Sequence, residues 1–424
     1  GVAGQQASVL LNNSTFPSTI PGSCWAVTVS ILNPDGSTLS STNFCPGYIF
    51  LGPVTLPTTG SYTLVIAPAN NGTGSATAVL SLFAEQSLSV TPISAGTTGT
   101  VVTINTPGQE ADLTFSGTAG QQASLLLANS TFPANVPGSG ASLNVSILNP
   151  DGSTLTSATF SSGYMFLSPA TLPATGTYTV VIAPVAGATG SVSVALSLFT
   201  VETGNITSGT AVPVTINAPG QDEQLSFTGT GGQQASVLLT NSTFPSDLPG
   251  SCSAFTVSIL NPNGSTLTSA NFCPGYMYLN AVTLPSTGTY SLVIAPVNGS
   301  TGSVTVLLST FYEQTGTITL GTATPLTISI PGQDSQLTFS GTEGQSATVS
   351  LANATFPSNI PGSCTSVTVS ILNPDGSTLQ STNLCGPGNL STNPVSLPST
   401  GTYTLVTAPA DGGTGSTSVT LTLQ

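Results

Sequence analysis

The 424 residues contain no Lys, no Arg and no His. Without imidazole there is no Ser-His or Cys-His nucleophile pair, without Lys no Schiff base, and without any cation no phosphate clamp. Nucleic acid and anionic membrane surfaces are poor partners for a chain of net charge −14, because affinity for either rests on Lys and Arg. Long apolar runs are missing as well. Hydrophobic residues make up 38% of the chain, but 46 Gly and 32 Pro break them into short segments. None approaches the roughly 20 residues of a membrane helix, so no membrane span is expected. There is no initiator Met and no basic-then-apolar leader, as in a mature or excised segment. Fourteen Asp and Glu are the only strong acid–base groups left, and nothing in the set calls for a cofactor.

What the chain has is internal repetition. NPDGS begins at 33, 149 and 373 and NPNGS at 261, spacings of 116, 112 and 112 residues. Each copy runs in one order: a PGQ turn, LTFSGT, GQQAS with a short apolar run, a TFP loop, VSILNPDGSTL, LPxTG, YTLVIAP, a Thr-Gly turn and an alternating close such as SVSVALSLF. A period this long is a domain rather than a solenoid rung. Segments such as VTVSIL and TYTVVI alternate apolar and polar residues between Gly, Pro and Asn clusters, which predicts about eight short strands and no helix per copy. The expected fold is all-β, a tandem array of four β-sandwich domains of jelly-roll or immunoglobulin-like kind. The copies span 1–84, 85–199, 200–311 and 312–424, with carboxylate-bearing linkers AEQS near 84, TVETG at 200 and YEQTG at 312.

Copy 1 is short. Its Gly4 aligns with Gly120, so the stretch from about Ser87 to Ser116 has no counterpart in it. A sandwich without those two early strands exposes a sheet edge and part of its core. The expectation is that a longer chain, or strands donated by another molecule, completes copy 1.

LPTTG at 56, LPATG at 172 and LPSTG at 284 and 397 match the sortase signature. A sorting signal needs an apolar span and a basic tail after it, and none of the four has either. In each, Tyr follows two residues after the Gly, as Tyr62, Tyr178, Tyr290 and Tyr403. Pro presets one dihedral, Gly permits a positive φ, and the Tyr hydroxyl bonds back to the turn, as in a tyrosine corner. The pentapeptides are read as structural turns.

Cys24 and Cys45, Cys252 and Cys273, and Cys364 and Cys385 each lie 21 apart, and copy 2 has Gly140 and Ser161 at the matching positions. Joint loss is what bonded pairs predict. With Asn33 facing Gly36, opposed residues sum to 69, as Cys24 and Cys45 do, and a bulge at the Gly shifts this by one. Three disulfides imply an extracytoplasmic setting. Two thiolates without His are a poor zinc set, so no metal is assigned.

The NPDGS aspartates Asp35, Asp151 and Asp375 suggest calcium, but copy 3 has Asn263 there, which keeps the turn and loses the charge. Turn chemistry accounts for both. Glu110 and Asp112, Asp222 and Glu223, and Asp334 sit by the PGQ turns. One or two carboxylates per junction is thin for Ca²⁺, and solvated turns are expected. A paired-carboxylate glycosidase is disfavoured because enzymes rarely keep four near-equal sites in tandem. Trp25, Tyr48, Tyr164, Tyr276 and Tyr278 offer a sugar platform or core filling, and core filling is preferred because copy 4 replaces that stretch with GPGNLSTNP. Eleven N-x-S/T sequons mark glycan acceptors at a frequency near chance.

The strings PGQEADLTFSGTAGQQASLLL at 107–127, VSILNPDGSTL at 145–155 and LPATGTYTVVIAP at 172–184 resemble the tandem β-sandwich repeats of large secreted or surface bacterial proteins, distantly akin to bacterial pre-peptidase C-terminal domains. The resemblance implies an extracellular, non-catalytic spacer, stalk or fibre. A surface without Lys lacks the usual guard against edge-to-edge pairing and offers no cleavage site to trypsin-like proteases. The functional expectation is a non-enzymatic structural subunit of an extracellular filament, sheath or surface layer that associates with itself. An adhesin stalk or carbohydrate-binding surface module is the alternative.

Overall fold

The computed structural model describes residues 1–17, 25–45, 49–84, 87–96, 99–133, 142–161, 165–245, 254–273, 277–357 and 364–424. The chain divides into two compact units, Gly1–Thr200 with Ala218–Gly220 and Val201–Asn217 with Gln221–Gln424. The fold is a tandem array of β-sandwiches, with separate hydrophobic cores for copies 1, 2, 3 and 4.

Copy 2 shows the complete plan. One sheet has four strands in the order Met165–Thr171, Gln122–Ala128, Gly190–Phe199 and Thr100–Ile104. The facing sheet has five, in the order Thr154–Phe160, Leu143–Leu148, Gly176–Pro184, Glu110–Gly117 and Ser87–Pro92. Pairing is antiparallel except that Ser87–Pro92 runs parallel to Glu110–Gly117 and Ala95 makes an isolated parallel bridge to Leu196. The alternation in the sequence is what closes the core. Leu143, Val145 and Ile147 on one strand meet Tyr178, Val180 and Ile182 on its neighbour, all fully buried, while Asn144 and Ser146 point outward on a pleat that β-branched residues fit well. Copies 3 and 4 repeat both strand orders, except that in copy 4 two short pieces, Gly388–Ser391 and Val395–Ser396, share one strand position.

Two features depart from the sequence reading. The segments expected as linkers are strands: Glu202–Asn205 and Gln314–Thr317 pair in parallel with Glu223–Gly229 and Ser335–Gly341. Four polar residues at a sheet edge carry no alternation, so periodicity missed them. The NPDGS hairpin register also differs from the expected sum of 69. Val27 faces Phe44 and Ile31 faces Ser40, with a shift of one only at Leu32 and Thr38. In copy 4 a further shift next to Thr365 places Cys385 against Thr365. Cys364 and Cys385 are bonded as diagonal neighbours rather than as an opposed pair. Cys45 and Cys273 are also disulfide-bonded, whereas Cys24 and Cys252 lie outside the described residues.

Among the described residues copy 1 has three strands per sheet: Ile49–Thr55, Gln6–Asn12 and Thr77–Phe83 in one, Thr38–Phe44, Val27–Leu32 and Thr63–Pro68 in the other. No described strand of copy 1 takes the positions that Thr100–Ile104 and Glu110–Gly117 fill in copy 2.

Candidate functional site

The LPxTG segments are turns tied to the sandwiches by their Leu, variable, Thr and Gly positions. Leu56, Leu172, Leu284 and Leu397 are buried in the four cores. The Tyr hydroxyl donates back to the carbonyl of the variable residue, from Tyr62 to Thr58, Tyr178 to Ala174, Tyr290 to Ser286 and Tyr403 to Ser399, each at 2.6 Å. The Thr hydroxyl accepts a backbone N–H from the GxxG region, as Thr175 Oγ1 does from Ala119 at 3.0 Å. The Gly does not supply a positive φ as expected from turn chemistry: Gly60, Gly176, Gly288 and Gly401 are absent from the residues with φ > 0. It supplies space. A Cβ at any of them would collide with the ring of Pro34, Pro150, Pro262 or Pro374 of the NPDGS hairpin, so the two repeated motifs pack on each other. Tyr178→Phe removes the hydroxyl that donates to the Ala174 carbonyl at 2.6 Å and accepts its N–H at 3.3 Å, and is expected to destabilise copy 2 by about 1 kcal/mol. Urea unfolding followed by copy-resolved hydrogen exchange measures it, and an unchanged copy 2 would remove the corner from the account.

The NPDGS carboxylates are occupied by their own turn. Asp35 Oδ1 accepts from Ser37 N at 2.9 Å and Ser37 Oγ at 2.6 Å, and Asn263 makes the same two contacts to Ser265 at 3.0 and 2.7 Å. The bond from the Ser hydroxyl holds the Asp35, Asp151 and Asp375 carboxyls below their usual range.

The carboxylates beside the PGQ turns are half-buried rather than solvated, a correction to the sequence reading. Burial pushes Asp222 up to about 6. Burial, with the charge of Glu313 second, pushes Asp334 up to about 7. Glu313 Oε2 accepts the Asp334 N–H at 2.6 Å, and Glu202 faces Glu223 across the parallel strands. The edge strands that periodicity missed cause this crowding. The folded state thus holds these protons more tightly than the unfolded chain, so copies 3 and 4 lose stability as pH rises from about 4 to about 7 and regain it on acidification. Discounted for partial exposure, Asp334 accounts for ~1–2 kcal/mol of that change. Asp334→Asn should flatten the pH dependence of the melting temperature over this window; an unaltered slope would assign it elsewhere.

A further repeated contact is the joint between successive copies within a unit. In the strand pair Gln6–Asn12 and Ile49–Thr55 the register shifts between Ala7 and Val9, the extra residue lying on Ile49–Thr55 opposite Ser8. Ser8 alternates with the core residues Ala7 and Val9, so its side chain faces out of the core, and Ser8 Oγ donates out of copy 1 to the Pro107 carbonyl of the copy 2 PGQ turn at 2.5 Å. The second unit repeats this with Ser236 Oγ and Pro331 O at 2.7 Å. The first unit, which takes in Ala218–Gly220, has Ser124 Oγ on Pro219 O at 2.5 Å. Each serine is fully buried. An aromatic ring lies alongside. Phe50 packs where a Cβ on Gly187 would stand and lies beside Gly108, where a Cβ would press on Ser8, and Tyr278 packs where a Cβ on Gly332 or Gly412 would stand. Those glycines have φ between 69° and 95°, and the bare backbone makes room for the ring.

The structure places the remaining sequence candidates as follows. Tyr278 belongs to the joint and not to a core. Trp25 is partly exposed, with its indole N–H on Thr28 Oγ1 at 3.3 Å. Tyr48, Tyr164 and Tyr276 lie outside the described residues. Sequence reasoning missed the joint, although the signal was present: Ser8, Ser124 and Ser236 recur with Phe50, Phe166 and Tyr278, whereas copy 4 has Thr348 and GPGNLSTNP at the two positions. A groove of about 510 Å³ in copy 2 is lined by Ile93, Phe115 and Leu198 with Ser and Thr, and one of about 340 Å³ in copy 3 by Ile206 and Phe227 with Asn205, Ser and Thr. Among the described residues no three acidic or Cys side chains are grouped as a metal would require. No described helix is long and apolar enough to cross a membrane.

No family model matches the chain, so kinship with pre-peptidase C-terminal domains is not shown, and no curated protein matches it. Among solved structures, the human MASP-1/3 CUB1-EGF-CUB2 region is 10% identical, covers 50% of this chain and 99% of its own, and has a TM-score of 0.18. The M60 catalytic domain with CBM51 domains of Clostridium perfringens ZmpB is 10% identical over 94% of this chain and 52% of its own, with a TM-score of 0.17. A biofilm-associated protein BSP domain is 10% identical over 97% and 89%, with a TM-score of 0.12. These are β-domain proteins to which the chain is remotely similar, and at such TM-scores none carries an argument about function.

Proposed function

We propose that this chain is a non-catalytic structural segment of an extracellular filament, sheath or surface layer, a stack of β-sandwich modules that associates through uncharged faces. One observation carries the reading. The outward face of the NPDGS sheet bears the same neutral pair in every copy, with Thr28 Oγ1 on Asn43 Oδ1 at 2.8 Å, Thr256 on Asn271 at 2.7 Å and Thr368 on Asn383 at 2.9 Å. In copy 2 the partners change strands, Thr159 donating to Asn144 at 2.9 Å. Beside them Ser30 meets Ser41, Ser258 meets Ser269 and Ser370 meets Ser381 at 2.7 to 2.9 Å. Flat polar faces without Lys have no like-charge barrier to one another and no edge guard. The bonded Cys364 and Cys385 support an oxidising, extracytoplasmic location. The joint supports a mechanical role, since buried Ser-to-Pro bonds and seated aromatic rings are devices that fix one module on the next.

Sedimentation of the purified chain over a range of concentrations tests the reading. Particles that grow with concentration at physiological salt are expected. A monomer at every concentration that instead binds immobilised glycans would support a ligand-binding stalk and overturn self-association.

A further inference from the structure

The eleven N-x-S/T sequons are near chance in number, but their placement in the fold is uneven. Four of them, Asn13-Ser14-Thr15, Asn129-Ser130-Thr131, Asn241-Ser242-Thr243 and Asn353-Ala354-Thr355, stand at the same place in all four copies, whereas each of the other seven occurs in one copy only. The place is the exit of the strands Gln6–Asn12, Gln122–Ala128, Gln234–Thr240 and Ser346–Ala354. All four asparagines are exposed and left-handed, with φ of 53°, 54°, 55° and 52°. Among the described residues no partner bonds their side-chain amides. The residues after them are held: each Thr hydroxyl accepts the backbone N–H of Ser75, Ser191, Ser303 or Ser416 at 2.8 to 2.9 Å, and the Phe that follows is buried.

Turn chemistry accounts for the Thr but not for the constancy of the Asn. A left-handed backbone favours Asn, yet the other non-glycine left-handed position that recurs in every copy is Asn70, Ala186, Asn298 and Asp411, with φ of 50° to 53°. That backbone accepts a different side chain from copy to copy. Copy 4 sharpens the comparison. It has Thr348 and GPGNLSTNP where the other copies carry the serine and ring of the joint, and within the sequon it has Ala354 for Ser, at the middle position that a sequon leaves free. Asn353 and Thr355 stay. Elsewhere the fold already uses the amide: Asn144 accepts from Thr159, Asn205 from Ser226 and Asn263 from Ser265.

We infer that Asn13, Asn129, Asn241 and Asn353 are acceptors of N-linked glycans, one on each β-sandwich. The donor is a lipid-linked oligosaccharide, its first sugar carried on a phosphate. The Asn amide nitrogen bonds to the anomeric carbon of that sugar, the bond from this carbon to the phosphate oxygen breaks, the phosphate leaves with the electron pair, and the amide gives up one proton. The folded turn occupies the Thr hydroxyl that a sequon must present, so transfer acts before the turn closes. The fold then leaves the modified amide in solvent, where a bulky polar chain displaces no packing. A chain with only 3% charged residues gains hydration that its side-chain charges do not supply. The inference rests on the extracytoplasmic setting of the proposed function and not on self-association.

The test uses the native protein, digested with pepsin because trypsin has no site in it, and read by electron-transfer fragmentation, which keeps a sugar on its residue. Glycan mass is expected on Asn13, Asn129, Asn241 and Asn353, and none on Asn144, Asn205 or Asn263. Unmodified amides at the four positions, sugars on Ser and Thr alone, or sugars spread over the sequons without regard to the repeat would overturn the proposal. In the producing organism Asn129→Gln should lower the intact mass by one glycan, whereas Thr131→Ser, which preserves the sequon, and Asn144→Gln should keep every glycan. An Asn129→Gln chain that loses no glycan would also overturn it. Sedimentation reads self-association separately, so a glycosylated monomer would remove the assembly and leave the acceptor sites standing.

Discussion

Phe115→Ala is expected to cost copy 2 about 3–5 kcal/mol, the usual penalty for truncating a buried aromatic side chain. Phe115 is 4% exposed, belongs to the copy 2 core, and stacks on Tyr178, itself at the centre of the tyrosine corner. Losing the ring opens a cavity beside Tyr178, and a sandwich has little freedom to collapse into it because both walls are fixed by sheet hydrogen bonds. The substitution moves copy 2 toward the condition of copy 1, where the aligned tyrosine has an open face. Copy-resolved hydrogen exchange in increasing urea should show copy 2 opening well before copies 3 and 4. A loss below about 1 kcal/mol would mean that Glu110–Gly117 contributes little to the core.

The paired substitution Cys364→Ala with Cys385→Ala should destabilise copy 4 by roughly 3 kcal/mol, from the loop-closure entropy that a bridge across about 20 residues removes from the unfolded chain. Cys364 and Cys385 are bonded across the base of the NPDGS hairpin, so the effect should be confined to that hairpin's copy. Copy 2 is the internal control, since Ser161 and Gly140 stand at its cysteine positions. Reduction of the wild-type chain should lower the unfolding midpoint of copy 4 and leave that of copy 2 unchanged. Equal shifts in both copies would indicate a general effect of reductant and not loss of a bridge.

Much of this architecture was legible because repetition multiplies weak signals. Alternating Val, Ile and Leu in VSIL and YTLVIAP set the strands, and the Asp-to-Asn change at Asn263 showed that NPDGS is a turn, since only the turn survives it. The tyrosine corner could be read from the constant two-residue step to Tyr178. Other features needed the fold. The glycine of LPxTG owes its place to the ring of Pro150, a contact between residues 26 apart that no local rule contains. Glu202–Asn205 and Gln314–Thr317 are too short and too polar to register as strands, and their pairing explains why Asp222 and Asp334 are half-buried. The joint was hidden for another reason. Ser8 is an outward strand serine by ordinary alternation, and only the fold shows that the Pro107 carbonyl lies against it; Tyr278 reads as core until its glycine partners are placed.

Negative-stain electron microscopy of the native material, purified without reductant, tests the central claim most directly. The account predicts ordered fibres or sheets built from repeating small domains. Dispersed single molecules over the same concentration range, with no ordered assembly, would contradict it.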